Sequence, residues 1–178
     1  AKKAGADCIK FQTHITEEEM IKTRIVPGKI SKKPLWDIIK NCELTVNEEE
    51  KLDRYCKEKK ILFLSTPFSI SAVDRLEKIK MPAYKIGSGE LTNLPFLKHI
   101  AKTKKPVILS TGMSNMSEIK DSVKLFQKLK IPIAILQTTS EYPCDYQDVN
   151  LMVIDSYKKL FNIPVGISDH SLGIYTAL

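Results

Sequence analysis

The strongest constraint on the fold of this chain is a repeated alternation. Six short runs rich in apolar and β-branched residues recur along it: "DCIKFQT" (7–13), "ILFLSTP" (61–67), "AYKIGSG" (83–89), "PVILSTG" (106–112), "IAILQTTS" (133–140) and "VGISDHS" (165–171). Helical periodicity fills 47–60, 70–80, 94–103, 115–130 and 148–161 between them. Strand and helix in alternation predict a parallel sheet with right-handed crossovers, because parallel neighbours need a connection long enough to hold a helix. Capping residues support the boundaries: Thr45 or Asn47 precedes a run of glutamates, and Ser114 or Ser117 stands before Glu118. Pro82, Pro106, Pro132 and Pro164 sit at strand entries, where a missing N–H does least harm.

Strand exits are different from strand entries. Each carries Lys, Ser, Thr, Gly or His, and no G-x-G-x-x-G or P-loop pattern follows any strand. Polar groups at the carboxyl ends of many strands are the mark of a (β/α)₈ barrel, whereas an open doubly wound sheet gathers them at one switch point. The expected fold is therefore α/β, an incomplete TIM barrel with six of eight strands, and residues 1–178 are read as one partial barrel domain. The opening "AKKAGAD" reads as the inside of a helix and "GIYTAL" as the start of another, so further strands are expected beyond both ends. Residues 14–46 form the one long irregular connection, with a loop or lid role.

Composition narrows the partners. The net charge of +7 comes from 28 basic against 21 acidic residues, and the lysines crowd helical stretches without an Arg-rich or aromatic-interleaved stripe. That pattern suits a solvated surface and an anionic small substrate rather than nucleic acid. No apolar run approaches the roughly 18 residues of a membrane span or resembles a signal peptide, so a cytoplasmic location with no membrane partner is expected. Cys8, Cys42, Cys56 and Cys144 lack metal or redox spacing and read as reduced thiols.

Collected in order, the exits present Lys10 and Gln12, Ser65 and Thr66, Lys85 with Ser88 and Glu90, Ser110 and Thr111, Thr138 to Ser140, and Ser168-Asp169-His170. Two lysines and a ring of hydroxyls make a cradle for a phosphate, aided by the backbone N–H groups of "GSG" and "STG". His170 is a candidate metal ligand or acid/base, Glu90 a general acid/base or a turn residue, and Tyr142 a partner for a sugar hydroxyl or a turn residue. His14 falls in the long connection and His99 within a helix, where loop and surface roles are expected.

The ordered set "KFQTH", "FLSTPFS", "PAYKIGSGE", "VILSTGM", "SEYP…DVNL" and "VGISDHSLG" closely resembles the bacterial sialic acid synthases, the phosphoenolpyruvate-dependent synthases of N-acetylneuraminate and related nonulosonates, along the whole chain. The resemblance implies a (β/α)₈ barrel. It also implies an enzyme that condenses phosphoenolpyruvate with an N-acyl mannosamine-type sugar, releasing phosphate by C–O cleavage. Lys10, Thr66, Lys85, Ser88, Ser110 and Ser168 match phosphoenolpyruvate-binding positions, Glu90 a proton-transfer residue, Tyr142 a contact to the acyl-amino sugar, and His170 a ligand of Mn2+ or Mg2+. Lys29, Gln137 and Ser140 depart from residues common in N-acetylneuraminate synthases, which bears on the acceptor sugar. In the family a second metal-binding histidine, a catalytic glutamate and a C-terminal antifreeze-like domain complete the site of a homodimer; none matches this stretch, which alone is expected to be inactive. Two other readings of the residues are a different phosphoenolpyruvate-dependent keto-acid synthase and a Schiff-base aldolase with Lys85 as nucleophile.

Overall fold

The computed structural model describes residues 1–27 and 31–178, so the candidate Lys29 lies outside the described residues. The chain divides into two compact units, residues 1–84 and 85–178. All six expected strands are present, each at or within a few residues of its expected place. They are β1 Cys8–Thr13, β2 Leu62–Pro67, β3 Tyr84–Ile86, β4 Val107–Ser110, β5 Ile133–Thr138 and β6 Val165–Ser168.

In the first unit β1 and β2 pair in parallel, with Lys10 opposite Leu64 and Gln12 opposite Thr66. Side chains alternate across a strand, so Lys10, Gln12, Leu64 and Thr66 share one face, while Phe11, Thr13, Phe63 and Ser65 share the other. The second face is the helix side. There the Phe11 and Phe63 rings lie 5.5 Å apart, and Thr13 Oγ1 donates at 2.6 Å to Oε1 of Glu49, which stands on the helix Val46–Glu58. The helices of this unit are α1 Thr16–Glu19, α2 Leu35–Cys42, α3 Val46–Glu58 and α4 Ile70–Lys78. Helix α3 begins with a full capping box, Thr45 accepting from Glu48 N–H while the Glu48 side chain accepts from Thr45 N–H, which satisfies two otherwise orphan donors.

The long connection is more ordered than its sequence suggests. It contains α1 and α2, and the two are tied together: Glu43 accepts from Thr16 N–H at 2.5 Å and from the Thr16 hydroxyl, while Lys40 bridges Glu43 at 2.9 Å and Glu17 at 2.8 Å. Burial pushes the Glu43 carboxyl up, but the Thr16 donors and Lys40 outweigh it and hold its pKa at about 2. A depressed folded pKa supplies stability that is complete above the ordinary value of 4.5 and is lost as pH falls through about 2. Hydrogen exchange of the Thr16 amide should therefore accelerate as pH falls through that window beyond its intrinsic pH dependence, and Glu43→Gln should remove the excess acceleration.

The second unit holds β3-β4-β5-β6 in sequence order, with β4–β5 and β5–β6 parallel. Its helices are α5 Leu94–Lys102, α6 Met116–Lys128 and α7 Met152–Phe161. Leu97, Ile100, Leu109, Val123, Phe126 and Ile135 are fully buried between sheet and helices. Each contributes about 1.5–3 kcal/mol by leaving water, which is what fixes the strand exits above them. The cap of α6 is Asn115, accepting from Ser117 and Glu118 N–H, rather than either expected serine. No described helix is long and apolar enough to cross a membrane.

Candidate active site

Lys85 answers the problem posed by a cation in a short buried strand. The residue is only 7% exposed. Its ammonium donates to Ser110 Oγ at 2.5 Å at the exit of β4 and to the Ile86 carbonyl at 2.9 Å. Tyr84 points the other way, its hydroxyl donating to Glu77 at 2.5 Å, as strand alternation demands. Lys85 and Ser110, predicted separately as anion-binding residues, are thus in direct contact.

The next turn brings in two more predicted residues. Ser88 lies in a short 3₁₀ turn, Ser88–Glu90, and its Oγ accepts from Gly112 N–H at 3.1 Å. Gly112 occupies this spot for lack of space: a Cβ there would stand 2.9 Å from Ser88 Oγ, 3.0 Å from the Thr138 carbonyl oxygen, and inside contact distance of Ser140 Oγ. Ser88, Gly112 and Ser140 therefore converge on one small polar spot after β3, β4 and β5. Glu90 closes the 3₁₀ turn and accepts from Asn93 Nδ2 at 2.7 Å, so its carboxylate is tied to the cap of α5. Ser168 pairs in register with Thr138 at the end of β6. Gln137, one residue earlier on β5, falls on the opposite face and donates to the Val149 carbonyl at 3.2 Å, so it does not share the face that carries Thr138 and Ser168.

His170 and Tyr142 form a second cluster in this unit. Their rings stack with centroids 4.0 Å apart, and His170 Nδ1 is 2.8 Å from the Thr139 carbonyl. A carbonyl can only accept, so Nδ1 carries a proton, and in a neutral ring Nε2 then keeps its lone pair, the tautomer used by a metal-ligating histidine. Asp169 is committed elsewhere: Oδ1 accepts from Ser171 N–H at 2.8 Å and from the Ser171 hydroxyl at 2.7 Å, and these bonds hold its carboxyl below the usual range. Among the described residues no three His, Cys, Asp or Glu side chains gather as a metal site. The fit to a divalent ion is thus that of one prepared imidazole nitrogen, not of a ligand set.

In the first unit, Lys10 and Thr66 share the face of the β1–β2 pair that turns away from the helices. Lys10 is exposed, yet the protein around its ammonium still desolvates it and lowers its pKa below the ordinary lysine value. Thr66 is 2% exposed and its hydroxyl has no hydrogen-bond partner among the described residues. Ser65 is a correction: it lies on the helix side, 2.8 Å from Thr13 Oγ1, and serves the buried Thr13–Glu49 bond rather than a ligand cradle. Glu49 also faces Arg75 at 3.7 Å, and burial pushes its carboxyl up. His14 lies in the connection after β1, as expected, but it is buried: it is 5% exposed, Nδ1 lies 2.8 and 3.0 Å from the two Glu19 oxygens, and its ring stacks on Phe68 at 4.6 Å.

These features define a class: an α/β protein of parallel strands whose exits carry a buried lysine, hydroxyls and a tautomer-fixed histidine. The NeuB family model matches residues 1–178, and the chain belongs to the NeuB family. It is 46% identical over 175 residues, 98% of the chain, to an uncharacterised protein of Methanocaldococcus jannaschii, of which it covers 49%. It is 37% identical over 187 residues, the whole chain, to N,N'-diacetyllegionaminic acid synthase of Campylobacter jejuni, of which it covers 56%. Among solved structures it resembles an N-acetylneuraminic acid synthetase of Leptospira borgpetersenii in complex with citrate, at 32% identity and a TM-score of 0.86, over 98% of this chain and 58% of that one. The chain spans about half the length of the curated relatives it matches.

Proposed function

We propose that residues 1–178 are part of the barrel catalytic domain of a synthase that joins phosphoenolpyruvate to an N-acyl mannosamine-type sugar, giving a nonulosonic acid and inorganic phosphate. The observation that carries this reading is the Lys85–Ser110 contact beside the Ser88–Gly112–Ser140 turn. A buried ammonium already held in place by the Ser110 hydroxyl and the Ile86 carbonyl is prepared to receive an anion without reorganising, which is where electrostatic catalysis gains most.

The roles follow from what each group can donate. Lys85 holds the phosphate or carboxylate as a point charge, and Ser88, Ser110 and Ser168 donate hydroxyl hydrogens to the remaining oxygens. Lys10 and Thr66 are proposed, on the same resemblance, as further phosphoenolpyruvate-binding residues; the unpartnered Thr66 hydroxyl is a donor waiting for an acceptor. Tyr142 and Ser140 contact the acyl-amino sugar, and Glu90 moves a proton. Nucleophilic C3 of phosphoenolpyruvate adds to the open-chain aldehyde carbon, water adds at C2, and phosphate departs with the C2–O bond. A divalent ion, Mn2+ or Mg2+, held in part by His170 Nε2, would supply electrophilic polarisation of the aldehyde. The protein is proposed to act in the cytoplasm as a homodimer.

The test is phosphate release by the complete protein from phosphoenolpyruvate with a panel of N-acyl hexosamines and Mn2+. Release with at least one sugar and none without sugar is expected. Absence of release with every sugar would overturn the reading. Trapping of a pyruvate adduct on Lys85 by borohydride would point instead to the Schiff-base aldolase.

A further inference from the structure

The buried imidazole of His14 has no part in the reading above, and it is built like a working group. Four observations describe it. Its Nδ1 is fixed by both oxygens of Glu19, a carboxylate whose side chain is only 7% exposed. Its ring lies nearly parallel to that of Phe68, at 11°, which sets the ring plane. Nε2 makes no hydrogen bond, and yet the buried atoms without partners among the described residues are only Glu49 Oε2 and Thr66 Oγ1. The small exposed part of the ring therefore includes Nε2.

Register says where this residue stands. Thr13 and Pro67, the last residues of β1 and β2, are opposite one another. His14 and Phe68 follow them directly, and their rings meet, so the pair stands at the carboxyl ends of the two strands that carry Lys10 and Thr66. A histidine oriented by a carboxylate, held flat by an aromatic ring and left with one unengaged nitrogen at a strand exit is a hydrogen-bonding or proton-transfer group in search of a ligand.

We infer that His14, at the exits of β1 and β2, is a further substrate-binding residue, specific for the hydroxyl-bearing acceptor sugar rather than for phosphoenolpyruvate. The inference rests on the proposed reading for the identity of the two substrates. Its chemical argument is one of polarity. With Nδ1–H given to Glu19, a neutral ring offers a lone pair at Nε2, which accepts from a sugar O–H. A phosphate or carboxylate has only acceptors to offer and is repelled by that lone pair, so the two substrates should respond to His14 in opposite ways.

The test uses the complete protein and two substitutions that separate the nitrogens. Asparagine places an amide near the Nδ1 position, preserving a donor to Glu19 and deleting Nε2; glutamine reaches the Nε2 position and can still accept. H14N should raise the sugar KM by about tenfold, the effect of one lost hydrogen bond of about 1.4 kcal/mol, with the phosphoenolpyruvate KM unchanged. H14Q should recover most of that loss. An unchanged sugar KM in H14N, or a rise in the phosphoenolpyruvate KM instead, overturns the inference, because a residue that only pins α1 to β1 would move both or neither. An independent readout needs no variant. In wild-type protein labelled with 15N-histidine, the His14 Nε2 resonance should shift on adding the sugar alone and stay put on adding phosphoenolpyruvate alone. No shift with any sugar that supports phosphate release refutes the inference while leaving the synthase reading intact; no phosphate release from wild type with any sugar refutes both.

Discussion

Lys85→Met should yield a folded protein that no longer turns over phosphoenolpyruvate. Methionine is unbranched, of similar length and apolar, so it fills the channel now occupied by the lysine stem without a charge to desolvate. The melting temperature should hold or rise, since the buried ammonium gives up bulk hydration for the Ser110 hydroxyl and the Ile86 carbonyl. Catalysis has no such substitute. Loss of one preorganised donor to a developing charge costs about 10²–10³ in rate, and a full positive charge beside the phosphate sets the upper end of that range as the minimum. Paired thermal melts and steady-state kinetics check it; activity within a few-fold of wild type would remove Lys85 from the site.

Gly112→Ala should cost both stability and phosphoenolpyruvate affinity. The new methyl would meet Ser88 Oγ at 2.9 Å and the Thr138 carbonyl at 3.0 Å. A serine side chain can rotate, but the carbonyl belongs to β5, which is paired on both edges by β4 and β6 and cannot yield. The turn must therefore move, breaking the Gly112 N–H bond to Ser88. Overpacking of this kind costs about 1–3 kcal/mol, and displacement of the serine should raise the phosphoenolpyruvate KM by about tenfold or more. Gly89→Ala is the contrast, for a Cβ there meets only Met113 Cε at 3.9 Å and should leave stability nearly unchanged. Equal melting temperatures for the two alanine variants would contradict this account of the turn.

How legible these features were in the sequence depended on the range of the interactions. Six strands and five helices could be read because burial imposes a period on every residue, and periods survive without tertiary information. Helix α2 was hidden behind Pro27, Pro34 and the lysines around them, although "PLWDIIKNC" has the spacing of an amphipathic turn after proline. The caps were right to within a residue or two, with Asn115 taking the place expected for serine. Hydroxyls at strand exits were readable as a group but not by side. Ser65 and Thr66 are adjacent in sequence and opposite in space, and only the β1–β2 register shows that Ser65 serves Thr13. The Glu49–Thr13 bond joins residues 36 apart, and no local pattern announces it. His14 follows the strand that ends at Thr13, as its sequence suggests, but its burial was not legible, because a glutamate five residues later is not a signature of anything until the chain folds back.

The family assignment and the α/β fold rest on the match along the whole chain and on the parallel strands themselves. The proposed chemistry has Lys85 and its neighbours hold phosphoenolpyruvate while its C2–O bond breaks. Phosphoenolpyruvate labelled with 18O at the bridging position tests that claim most directly, with the complete protein and an accepted N-acyl hexosamine. The account predicts that the label leaves in inorganic phosphate, as C–O cleavage requires. Label retained in the sugar-acid product, with unlabelled phosphate, would mean P–O cleavage and would contradict it.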